Sequence, residues 1–277
     1  MKILEAPSAS FVWQYKINGW GFLFYLKILL QNLLTTILVA AFCMGLQAQS
    51  IRVNDPNNHA WIVYTGVHKI SPKWALHLEA QPRRSELGKG SQQLLLRTGI
   101  NYAFSKQVSA TTGYCFVETY PYGEFLVSKQ FSEHRLWQQL QTSNNFGRVE
   151  FINRYRLEQR WIGSSTFGGF QSPYFANRVR YLGRVNIPLN KPSNEKGTYY
   201  LSLYDEIFIG FGKQVKANIF DQNRACALLG YNTGKWGKLE LGYMLQILQQ
   251  RNGIVFEHNN TLMVSFASSV QFFKTKR

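Results

Sequence analysis

From Arg148 to Trp161 the chain alternates with a period of two, and both halves of the alternation are extreme. Val149, Phe151, Tyr155, Leu157 and Trp161 fall on one side. Glu150, Arg154, Arg156, Glu158 and Arg160 fall on the other. Successive side chains of an extended strand point to opposite faces, whereas a helix would scatter these residues around its axis. A sheet built this way has one apolar face and one charged face, and the two must meet different media. The pattern recurs. Arg178, Arg180 and Arg184 oppose Val179, Tyr181 and Val185; Trp74, Leu76 and Leu78 oppose Ala75, His77 and Glu79. Leu94, Leu96, Ile100 and Tyr102 oppose Gln93, Arg97 and Asn101, and Leu239 to Ile247 oppose Glu240, Gly242 and Gln246.

Eleven segments carry this signature: 59–68, 73–81, 91–104, 107–119, 131–142, 148–161, 174–187, 198–210, 219–231, 236–248 and 259–273. Short links (69–72, 105–106, 143–147, 232–235) alternate with longer ones (82–90, 120–130, 162–173, 211–218, 249–258), and 188–197 is long for its short slot. Short turns on one side and long loops on the other predict an all-β, antiparallel up-and-down transmembrane β-barrel. Single-chain bacterial barrels carry an even number of strands, so the expected count is ten or twelve. A composition of 45% hydrophobic and 15% aromatic residues excludes a disordered chain, and three cysteines exclude a disulfide scaffold. Cys115 and Cys226 fall on distant strands and are expected as free thiols.

The first 48 residues differ from the rest. Ile28 to Leu46 is the most apolar stretch, Lys27 precedes it, and Leu46-Gln47-Ala48 ends it. A basic flank, an apolar run and a small residue at the cut describe a secretory signal peptide. Gln31 and Asn32 interrupt the run, against a transmembrane helix of about 20 apolar residues. Bulky Phe42 before Cys43 argues against a lipoprotein. The domains are therefore 1–48, an N-terminal extension with the signal peptide, and 49–277, the barrel.

A soluble barrel turns apolar residues inward; a membrane barrel reverses this. The leader, the strand lengths and the aromatics near strand ends favour the membrane form. Trp61, Trp74, Trp161, Tyr181 and Trp236 are the expected interface girdle. The chain nears its end in Val270-Gln271-Phe272-Phe273, which resembles the terminal signal read by the barrel assembly machinery, although Lys274 to Arg277 follow it. Outer-membrane lipid and lipopolysaccharide are the other expected partners.

Several blocks occur in order: Glu133-His134-Arg135-Leu136-Trp137-Gln138-Gln139, Arg154-Tyr155-Arg156-Leu157-Glu158-Gln159-Arg160, Tyr204-Asp205-Glu206 and Phe220-Asp221-Gln222-Asn223-Arg224. With them the chain resembles the bacterial family known as domain of unknown function twenty-four ninety, over roughly 59–273. The resemblance implies a β-barrel in a Gram-negative outer membrane, typically of the Bacteroidota, and implies no reaction, cofactor or ligand.

The candidate site is the charged face. Arg154, Arg156, Glu158 and Arg160 are expected to meet Arg178, Arg180, Arg184, Glu206, Arg224 and Glu240 in a polar lumen. Opposite charges on neighbouring strands pair across a sheet, and a ring of guanidinium groups favours anionic solutes. Asp205 interrupts the apolar face of Leu201 and Leu203, which suggests a bulge or a rim position. Arg83, Arg84, Lys89, Lys129, Lys213 and Lys216 read as solvated loop cations or lipopolysaccharide contacts. No Gly-x-Ser-x-Gly elbow and no metal-ligand spacing is present; no catalytic residue, metal or cofactor is assigned. Scattered cations on an exported chain argue against nucleic acid. The reading is an outer-membrane barrel acting as a small pore or a structural envelope protein. The alternatives are a lipid-modifying enzyme using His77 or His134 and a soluble periplasmic ligand-binding barrel.

Overall fold

A computed structural model describes residues 52–125, 129–163 and 173–271. The leader, Cys43, Gly168, Gly169 and the terminal Phe272-Phe273 lie outside the described residues. Eleven strands follow one another: β1 (Val53–Lys69), β2 (Trp74–Ser85), β3 (Gly90–Ala103), β4 (Val108–Thr119), β5 (Phe131–Phe146), β6 (Val149–Ile162), β7 (Tyr174–Pro188), β8 (Tyr199–Phe211), β9 (Phe220–Gly234), β10 (Gly237–Gln249) and β11 (Val255–Ser268). Each pairs antiparallel with its sequence neighbour, and the sheet closes on itself.

The closing pair differs from the rest. β1 and β11 run parallel, from Val53 opposite Val255 to Gly66 opposite Ser268. Every hairpin reverses the chain, so a ring of eleven strands needs one parallel pair. The count is eleven, between the expected ten and twelve, and the odd number is accommodated at this seam. Both strands of the seam start at the rim with the long loops and end at the rim with the short turns.

Following the register once around the wall returns to β1 displaced by about 14 residues, which for eleven strands sets a tilt of about 40–45° and a backbone radius of about 11 Å. Arginine side chains reaching inward from all sides can fill a ring of that radius.

The alternation decides what faces where. Phe151 and Tyr155 point outward and are exposed, while Arg156 and Glu158 just beyond them point inward and are buried. Ile62, Leu96, Leu136, Leu203, Leu229, Leu241 and Leu262 continue the apolar exterior around the wall. The interior is not purely polar. Trp61, Cys226, Leu228, Met244 and Met263 form one apolar cluster inside, and Leu95, Cys115, Val117 and Trp137 form another. Both cysteines are free thiols, one in each cluster.

Two of the five expected girdle residues sit elsewhere. Trp61 is a lumen residue, 3% exposed; its odd position shares the inward face with Asp55 and His59. Tyr181 faces outward but halfway along the wall, stacked at 5.1 Å on Tyr155 opposite it. Trp74 does lie at the short-turn rim, 4.7 Å from Tyr102, as does exposed Trp236. Trp161 lies at the long-loop rim, 5.2 Å from Phe175.

Two bulges at the long-loop end matter for the interior. Between β2 and β3 the register shifts at the Arg83/Arg84 step, and on β9 it shifts opposite the Phe208/Ile209 step. The extra residues are Gln92 and Asp221. Each bulge puts adjacent side chains on one face, so Gln92 joins Gln93, and Asp221 joins Gln222, inside the barrel.

Candidate functional site

The interior is organised around Glu158, which is fully buried on β6. Its direct partner across the sheet is Arg178 on β7, and Arg178 Nη2 donates to Glu158 Oε2 at 2.5 Å. Arg180 Nη1 reaches the other oxygen at 2.8 Å and Arg97 Nη2 reaches it at 3.3 Å. Arg156 Nη1 stands 3.9 Å away. Four guanidinium groups therefore converge on one carboxylate.

Further carboxylates complete the layer. Glu206 accepts Arg180 at 2.7 and 3.0 Å and Arg154 at 2.8 Å. Glu133 takes a bidentate bond from Arg135, at 2.7 and 2.8 Å, and a further bond from Arg160. Bulged Asp221 accepts Arg178 at 2.6 Å. Glu79 accepts Arg97 at 2.6 Å. Glu240 binds Arg184 and the Tyr200 hydroxyl, the latter at 2.7 Å. Arginine suits this arrangement because one planar fork serves two acceptors at once.

All ten expected lumen residues face inward, and the structure joins Arg154, Glu158, Arg160, Arg178, Arg180 and Glu206 in one network through Glu133 and Asp221. Arg184 and Glu240 form a separate pair nearer the short turns. Arg224 lies opposite Glu206 in the register, yet no carboxylate approaches it within 4 Å among the described residues. Arg156 lies opposite Arg180, and this like-charge pair is relieved by divergence: Arg156 turns to Gln139 Oε1, at 2.6 and 3.0 Å.

Arg83, Arg97, Arg135, Glu79 and Glu133 belong to the same interior. Arg83 is a correction: it is a buried residue of β2, not a loop cation. Pro82 invites a strand end in the sequence, but it points outward, and the strand continues past it to Ser85. The exact alternation of Glu79, Gln81 and Arg83 is the signal that places Arg83 inside. Asp205 is also corrected. It lies in unbroken register on the outer face, where Asn223 Nδ2 donates to both of its oxygens at 2.9 and 3.1 Å.

A cavity lies on each side of the ion-pair layer. Toward the long loops a cavity of about 220 Å³ is lined by Trp61, Arg83, Arg224, Glu257, Tyr122 and Phe125, among others. Toward the short turns a cavity of about 480 Å³ is lined by Val67, His77, Arg154, Arg184, Lys238 and Glu240, among others. Tyr122 and Phe125, which follow β4, cover the first. The Tyr122 hydroxyl donates to Glu257 Oε2 at 2.7 Å, and Gln250 Nε2 donates to the Phe125 carbonyl at 3.0 Å. Burial and the Glu257 carboxylate push the Tyr122 phenol well above its usual range, so it stays a donor.

His77 stands 3.5 Å from Glu79 inside the barrel, edge-on to Trp137. His134 is on the outer face beside Tyr114. The wall separates the two, so they cannot share a catalytic site. Among the described residues no group of three or more His, Cys, Asp or Glu could hold a metal ion.

These features define a closed, mostly antiparallel β-barrel with an apolar exterior and an arginine–carboxylate interior. A family model described as protein of unknown function (DUF2490) matches residues 58–257, and the chain belongs to that family. No curated protein and no solved structure matches it.

Proposed function

We propose that this protein is an exported outer-membrane β-barrel whose lumen is shut by its own ion pairs, acting as a structural or ligand-holding envelope protein and not as an open diffusion pore. The observation that carries this reading is the reversed polarity of the wall. Leu241 is 60% exposed and Ile62 59%, whereas Glu158 is 0% and Arg156 3%. In water that arrangement leaves a large apolar surface uncovered and is unfavourable. Against hydrocarbon it is the expected one. Strands of 12 to 17 residues, tilted as the register requires, rise about 30 Å, the thickness of a bilayer core. Aromatic pairs at both rims fit the two interfaces. The leader supplies the route out of the cytoplasm, and the barrel assembly machinery and lipopolysaccharide are the partners this location entails.

The closed-lumen part rests on the Glu158 layer, which crosses the middle of a narrow ring. The test is reconstitution of the chain beginning at residue 49. Folded protein is expected to float with liposomes, to need detergent for dispersal, and to show no ionic conductance in planar bilayers. A folded chain that stays dispersed in plain buffer overturns the membrane reading. Steady channel steps from the wild type overturn the closed lumen and restore the pore.

A further inference from the structure

We propose that the long-loop cavity binds a compact phosphate-type oxyanion at Arg83 and Arg224, with Trp61 as its wall. This rests on the lumen geometry and holds whether or not the barrel resides in a membrane.

Most arginines of the interior are neutralised by a carboxylate at hydrogen-bond distance. Arg83, Arg156 and Arg224 are not; Arg156 lines the short-turn cavity with Glu158 3.9 Å away, which leaves Arg83 and Arg224 on the long-loop side. Arg83 donates only to Gln81 and Gln93, the Nε bond to Gln81 being 3.1 Å. Arg224 donates through Nε to Gln222 at 3.2 Å, and its two Nη atoms have no hydrogen-bond acceptor among the described residues. Both guanidinium groups stand over the Trp61 indole, at 3.9 and 5.0 Å from its ring centre, and both line the same cavity. Trp61 is itself locked, its Nε1 donating to bulged Gln92 at 2.7 Å. Glutamine acceptors fix the forks in place without cancelling their charge. Two buried cations without counter-ions are costly when empty of ligand, and a cavity holding them is a site for negative charge.

The charge points to the class of ligand. Two unneutralised forks match a dianion, and a phosphate monoester carries about −1.5 to −2 at pH 7. Arginine forks bind phosphate oxygens in bidentate fashion. Four carboxylates also line the cavity: Glu79, Glu133 and Asp221 are each paired with another arginine, and Glu257 is held by Tyr122, Gln250 and Asn259. Its hydrogen bonds run to the roof and to β11, and among the described residues it forms no ion pair with either arginine. A volume of about 220 Å³ admits a headgroup-sized solute and excludes an acyl chain.

The experiment is titration calorimetry on the folded full barrel in detergent, with inorganic phosphate, with a short-chain phosphatidate in mixed micelles, and with chloride at matched ionic strength. Saturable phosphate binding, absent with chloride, is expected. It should weaken at least tenfold in Arg83→Gln and in Arg224→Gln, and less in Arg83→Lys and Arg224→Lys, which keep the charge and lose the fork. Lys213→Gln with Lys216→Gln, on an exposed loop, should change nothing. Binding of phosphatidate alone supports the site and assigns its ligand to a lipid headgroup. Equal response to chloride, or phosphate affinity unchanged in the folded glutamine variants, overturns the proposal. Neither result bears on liposome flotation, so failure here is separable from failure of the membrane reading.

Discussion

Glu158 and Arg178 face each other across β6 and β7, and Arg178 Nη2 donates to Glu158 Oε2 at 2.5 Å. Neither side chain reaches solvent: Glu158 is 0% exposed and Arg178 3%. The pair is stable because each partner is also committed elsewhere, Glu158 to Arg180 and Arg97, and Arg178 to Asp221. Removing one partner of a buried ion pair leaves an uncompensated charge and costs about 3–5 kcal/mol. Glu158→Gln leaves three close guanidinium groups without their shared counter-charge. It should lower the stability of detergent-folded barrel by at least that amount in urea titration, whereas Glu195→Gln on a short-turn-side loop should shift the midpoint little.

The ion-pair layer also makes a prediction about permeability. Arg156 stands in the layer, held mainly by Gln139. Arg156→Ala removes a long side chain at the layer's short-turn face, where it lines that cavity, while leaving the Glu158–Arg178 bond intact. Planar-bilayer recordings should show small, anion-preferring steps in Arg156→Ala that the parent lacks.

Polarity of the wall can be tested by charge alone. Leu241 is 60% exposed on the outer face of β10. An arginine there costs about 2–4 kcal/mol at a bilayer midplane, so Leu241→Arg should fold poorly into liposomes and float less. In a soluble barrel the same change would be close to neutral and would aid dispersal.

Aromatic rings inside the barrel are seated on glycines. A methyl group at Gly230 would lie 2.2 Å from the Tyr200 ring, and one at Gly99 would lie 2.9 Å from Trp137. On the outer face a methyl group at Gly183 meets nothing closer than 3.5 Å. Overpacking a close contact costs about 1–3 kcal/mol. Gly230→Ala should therefore destabilise the barrel measurably in urea, and Gly183→Ala should not.

How much of this was readable from sequence follows from the alternation. The inward set on β6 and β7 was legible because Arg154, Arg156, Glu158, Arg160, Arg178, Arg180 and Arg184 keep strict parity and have bulky apolar residues between them. At Trp61 parity outweighs residue type: a tryptophan near a strand end suggests an interface, yet its neighbours His59 and Val63 share its inward face. Arg83 is hidden behind Pro82, where missing hydrogen-bond capacity suggests a strand end; the β1–β2 ladder has no paired residues between Trp61–Arg83 and Tyr64–Ala80, so the strand passes through Pro82 where that ladder is open. Asp221 and Gln92 enter through bulges, which break the two-residue rule and leave no trace in hydropathy. The parallel seam was invisible for another reason: it joins residues about two hundred apart, and no local pattern encodes it.

That seam gives the molecule a direction. In a ring with an even number of strands both ends of the polypeptide emerge from the same mouth. Here the chain enters the wall beside the long loops at Val53 and leaves it beside the short turns after Ser268. A tag spliced ahead of the first strand and another spliced behind the last would therefore be presented at opposite rims of the barrel; if the proposed membrane reading holds, protease applied from one side of a vesicle is expected to clip one and spare the other.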